Sequence, residues 1–106
     1  MPPTKAKLVT VIVVYECHDS VRKALRRLGL KAYSVARCEG HGAHGTQQGG
    51  LSGNANFVFS VVTTAALATK LLAWVERDLV HKDFPAIAYS ADVEAVLGAP
   101  HGGKES

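Results

Sequence analysis

Residues 8–16, LVTVIVVYE, are β-branched and apolar at odd and even positions alike. A strand with one face in water alternates apolar with polar residues, whereas apolar side chains on both parities mark a strand covered on both faces. This segment therefore reads as the centre of a sheet. In a chain of 106 residues its own helices can cover one face, and something else must meet the other.

The flanking pattern supplies the rest of the fold. His18 or Asp19 is placed to cap a helix whose apolar positions Val21, Ala24, Leu25 and Leu28 follow helical spacing, and Gly29 stops it. Residues 30–39, LKAYSVARCE, read as a second strand, with Tyr15 and Tyr33 as sheet residues whose hydroxyls lie at an edge. Residues 56–62, NFVFSVV, make a third, after which Thr63 or Thr64 caps a longer helix with a stripe of Leu67, Leu71, Trp74, Val75 and Leu79. FPAIAYSADV, residues 84–93, forms the last strand, and Pro85 confines it to an edge or a strand beginning. The order is βαββαβ. Right-handed crossovers turn this into an α+β, ferredoxin-like fold: a four-stranded antiparallel sheet with both helices on one face. The bare face, carrying Val, Ile, Tyr and Phe, predicts burial against copies of the same chain.

Between strands two and three lies CEGHGAHGTQQGGLSGN, residues 38–54, with six glycines among 17 residues. Such a segment builds no core. Gly40, Gly42 and Gly45 let backbone amides approach a ligand, and His41, His44, Gln47 and Gln48 can hydrogen-bond it. The length predicts a single domain over 1–106, with a core of about 5–98, a loop of about 40–55 and a loose tail over 99–106. No apolar run approaches the roughly 20 residues needed to span a bilayer, which predicts a cytoplasmic protein. Two cysteines, Cys17 and Cys38, do not make a disulfide framework, so reduced thiols are expected. The net charge of +3 comes largely from Arg22, Lys23, Arg26 and Arg27 in one helix, without interleaved aromatics. That is a solvated helix face rather than a nucleic-acid footprint.

The order of elements, together with GLKAYSVARCEGHG (29–42) and DFPAIAYSADVEAVLG (83–98), resembles the PII signal-transduction superfamily. The second segment is similar to the end of the PII-like proteins associated with bicarbonate transporters and carboxysomes. The resemblance, over about 5–98, implies a homotrimer with three clefts between neighbouring subunits. Each cleft would be roofed by the 40–55 segment as a T-loop and would bind an adenine nucleotide. Carried over by position, Ser34 would reach the base, and Gly40, His41 and Gly42 would turn beside the phosphates. Phe84, Ala86, Ile87, Ala88 and Tyr89 would lie along the purine, and His44, Gly45 and Gln47 would serve the T-loop and an anion. Where typical members carry a TGxxGDGK loop, VHKDFPAIAY (80–89) has no glycine, and residues 38–54 have no arginine or tyrosine. ADP or AMP is therefore expected over ATP, with backbone amides and histidines holding the phosphates. Bicarbonate is expected as a second ligand, because a nest of glycine amides suits a planar anion. No tightly bound cofactor is implied, and the T-loop would signal to a membrane transporter or another partner.

Two rival readings use the same residues. Cys17, His18, Cys38, His41 and His44 could ligate a transition metal, as in a CutA-like trimer of similar fold. An enzyme would need paired acid and base groups, whereas Glu39, His41, His44, Asp83 and Asp92 are scattered and no GxSxG, HExxH or Walker sequence occurs. The sequence thus predicts no dedicated catalysis, slow nucleotide hydrolysis being its nearest form.

Overall fold

A computed structural model of the chain describes residues 3–40 and 53–98, the side chains of the second span from 56 onward. Its elements are β1 (Thr4–Val14), α1 (His18–Arg27), β2 (Ser34–Gly40), β3 (Gly53–Thr63), α2 (Ala65–Asp78) and β4 (Ala86–Ala95), with 3-10 turns at Tyr15–Cys17 and Val80–Lys82. The strands form one antiparallel sheet in the order β2-β3-β1-β4. The all-apolar segment is indeed central: β1 pairs with β3 on one side and β4 on the other.

Register assigns the two faces. Val9, Val11 and Val13 stand opposite Val61, Phe59 and Phe57, and most of this row is buried with Val21, Leu25, Leu71, Trp74 and Val75 of the helices. The other parity forms rows such as Ala36–Val58–Ile12–Ile87 and Ser34–Ser60–Thr10–Tyr89 on the far face. Val62, Ile87 and Tyr89 are 42%, 49% and 52% exposed there. The bare apolar face anticipated from β1 is present among the described residues.

The local signals worked unevenly. Gly29 ends α1 at φ 77°, with Leu30 N–H donating to Leu25 O at 2.8 Å and Gly29 N–H to Arg26 O at 3.0 Å, which satisfies carbonyls that the helix end would leave free. Thr64 caps α2 by accepting from Leu67 N–H at 3.2 Å. Neither His18 nor Asp19 caps α1. Cys17 holds that position without a side-chain bond, because the 3-10 turn runs straight into the helix, and His18 is its first residue. Tyr15 belongs to that turn rather than to the sheet. Leu30 is buried but precedes β2, as does Tyr33, so β2 starts four residues later than its apolar content suggests. β1 and β3 extend beyond their apolar cores, starting at Thr4 and Gly53, because pairing with β4 and β2 satisfies their backbone groups. Pro85 stands just before β4, an edge strand.

Candidate functional site

The residues assigned to a nucleotide divide between the two edges of the sheet. Ser34 opens β2 and Gly40 closes it, on one edge, while Phe84 to Tyr89 lead into β4 on the other. Two strands lie between, so the edges are about 14 Å apart at the usual inter-strand spacing. No single subunit can close both sets around one base. They nevertheless occupy matching levels along the strands, since Ser34 shares a cross-sheet row with Tyr89.

At the β2 edge, Ser34 pairs with Ser60 and lies in an open depression of about 450 Å³ lined also by Lys31, Ala32, Tyr33, Val62 and Leu97. Two hydroxyls, an ammonium group and an apolar wall are suitable for a purine, since hydroxyls can hydrogen-bond ring nitrogens and a valine can pack on the ring. Lys31, Ser60, Val62 and Leu97 were missed from the sequence. Counting across from Ser34 gives Ser60 only once the β2–β3 register is known.

At the far end of β2, Gly40 pairs with Gly53 after an irregularity between Cys38 and Gly40. The chain thus leaves and re-enters the sheet through two paired glycines. His41, Gly42, His44, Gly45 and Gln47, with Gln48, lie outside the described residues.

At the β4 edge, Phe84 is exposed, and its N–H donates to Leu79 O at 2.9 Å. Ala86 and Ala88 pack against the core, so only their backbone faces outward, while Ile87 and Tyr89 stand on the bare face. Among the described residues β4 pairs with β1 alone, leaving one row of its backbone N–H and C=O groups free to read a polar edge.

Of the cysteine and histidine set, Cys17, His18 and Cys38 are among the described residues, while His41 and His44 lie outside them. Cys17 is buried in the core and Cys38 is half-buried on β2, both as free thiols. The His18 Nδ1 sits 2.8 Å from Tyr15 O, and its ring stacks on Phe57 at 5.0 Å. Among the described residues no three His, Cys, Asp or Glu side chains come together. Burial, with the Glu16 charge adding to it, pushes the Cys17 thiol above its usual pKa. Alkylation of the native protein at pH 8 is therefore expected to label Cys38 well before Cys17, read by peptide mass spectrometry. No helix among the described residues is long and apolar enough to cross a membrane.

Comparison with known proteins agrees with this architecture. The family model for the nitrogen regulatory protein P-II matches residues 6–97. No curated protein sequence matches the chain. Among solved structures, a PII-like protein of Thermus thermophilus superposes with a TM-score of 0.72 at 22% identity, over 91% of this chain and 94% of that one. CPII, a nitrogen regulatory PII-like protein of Thiomonas intermedia bound to ADP, AMP and bicarbonate, gives 0.74 at 16% identity, over 91% of this chain and 100% of that one. A DUF3240 protein of Shewanella baltica gives 0.61 at 18%, over 91% and 94%. At such identities the structures speak for the fold, and the family model covers most of the chain. A central apolar β1, the βαββαβ order and the glycine-bounded segment between β2 and β3 therefore belong to a member of the P-II family.

Proposed function

We propose that the protein is a PII-type regulator: a single-domain, cytoplasmic homotrimer that binds ADP or AMP in clefts between subunits. The observation that carries this reading is the split of the candidate residues between opposite edges of the sheet. In a trimer packed through the bare faces, the β2 edge of one subunit meets the β4 edge of the next. Ser34 then supplies a hydroxyl to the base, and the β4 backbone from Phe84 to Tyr89 borders the purine. Gly40 and Gly42, with His41, present amides and a ring to the phosphates. CPII with ADP, AMP and bicarbonate bound supports the choice of ligands.

Bicarbonate, in this reading, binds beside the phosphates and is held by the T-loop segment with His44, Gly45 and Gln47. Ordering that segment alters the surface offered to a transporter or another partner in inorganic-carbon metabolism. The mechanism is ligand-gated binding and assigns no catalytic residue. Linkage then requires reciprocity, because whatever factor bicarbonate adds to ADP affinity, ADP adds to bicarbonate affinity. Calorimetric titration of ADP, AMP and ATP with and without bicarbonate, at fixed pH and ionic strength, tests this. ADP or AMP should bind more tightly with bicarbonate, and ATP should bind more weakly than ADP. Identical ADP isotherms in both buffers would remove bicarbonate from the proposal.

A further inference from the structure

The basic residues of α1 are not equivalent. Lys23 is paired with Asp19 at 3.3 Å. Arg22 and Arg26, one helical turn apart, face instead a crevice of about 180 Å³ completed by Leu30, Lys31 and Tyr33. Its lining holds three cations and, among the described residues, no carboxylate. Like charges at this spacing destabilise a helix unless an anion bridges them.

The crevice is also built rather than merely charged. Arg22 donates from Nη1 to the Tyr33 hydroxyl at 3.3 Å, and its guanidinium lies over the Phe59 ring, 5.7 Å from the centroid. The Tyr33 ring in turn leans on Phe59 with centroids 6.0 Å apart. Arg22 is therefore held in place and half-buried, so less side-chain entropy remains to be lost on binding. The Tyr33 oxygen accepts from Arg22, which leaves its own proton to donate. A guanidinium fork, a second guanidinium, an ammonium group and one hydroxyl donor match a tetrahedral oxyanion. The volume is below the roughly 300–1,000 Å³ of pockets for organic ligands.

We propose that Arg22, Arg26, Lys31 and the Tyr33 hydroxyl form a second ligand site, for a small phosphate-type oxyanion, on the helix side of residues 31–33. The candidate base depression lies across the same segment and shares Lys31 and Tyr33 with it. The site needs no residue of the 41–52 segment and does not depend on the nucleotide reading.

Titration of inorganic phosphate into the nucleotide-free full chain, in a chloride buffer of constant ionic strength and followed by phosphorus NMR and calorimetry, tests it. Saturable binding is expected. Arg26→Gln, at an exposed position that leaves the fold intact, should weaken it about tenfold, the loss of one charge-assisted pair. Tyr33→Phe should weaken it about threefold, and Lys23→Gln should change it by less than twofold. Equal losses in Arg26→Gln and Lys23→Gln, or no saturation at phosphate on the order of 10 mM, overturn the site. ADP affinity in Arg26→Gln should match the wild type, and its loss together with phosphate binding would make the crevice part of the nucleotide cleft. Sedimentation with phosphatidylglycerol vesicles separates a free phosphate from a lipid headgroup. Arg26-dependent vesicle binding without phosphate binding would overturn the small-anion assignment.

Discussion

Ile12→Asp is expected to convert the proposed trimer to a monomer of 11.2 kDa without unfolding it. Ile12 lies mid-sheet on the bare face, between Val58 of β3 and Ile87 of β4. Among the described residues no helix covers it, so in the isolated subunit a carboxylate there reaches water. In the assembled trimer it would be buried without a partner, at a cost of about 3–5 kcal/mol for each copy. Sedimentation velocity should give the monomer mass with an unchanged circular dichroism spectrum. ADP binding should vanish with assembly, since each proposed cleft needs two subunits. A trimer that persists would mean that the bare face is not the interface.

The second large effect is expected inside the subunit. Phe59 is 1% exposed and sits where the layers meet, paired with Val11 on β1 and Val35 on β2. Its ring also contacts Tyr33 and Arg22. Phe59→Ala removes a fully buried ring and leaves a cavity that a sheet strand cannot collapse into, for a loss of about 3–5 kcal/mol. Against a total of about 5–15 kcal/mol for a domain, this leaves a marginal fold. Urea unfolding of the Ile12→Asp monomer with and without Phe59→Ala isolates the effect from assembly. A loss under about 1 kcal/mol would place the ring outside the core.

The topology was legible because its determinants are local. The apolar run 8–16 needs two covers, Gly29 provides a left-handed stop, and Thr64 offers a hydroxyl three residues before an amide that needs one. The strand ends were less so. Leu30 and Tyr33 are apolar and look like β2, but Leu30 packs beneath the helix end and the Tyr33 hydroxyl accepts from Arg22, both ahead of the strand. Lys5 and Lys7 lie outside the apolar run, yet they pair with Glu94 and Asp92, Lys7 reaching Asp92 at 2.6 Å. Of the site, Ser34 and Gly40 were named from position along the chain, and the structure places them at the two ends of one edge strand. Ser60 and Val62 join Ser34 through register, and register depends on the geometry of a glycine-rich connection that has no side-chain pattern of its own.

In the proposed trimer each nucleotide site is built from the β2 edge of one subunit and the β4 edge of its neighbour. Subunit mixing tests it most directly. Ser34→Trp fills the β2-edge depression and Phe84→Ala strips the β4 edge, so each homotrimer should bind ADP about tenfold more weakly or worse. When the two variants are unfolded together and refolded as mixed trimers, about one quarter of the clefts combine an intact edge from each. Calorimetry of the mixture should recover that fraction of sites at wild-type affinity. A mixture that binds no better than the separate variants would contradict the inter-subunit site.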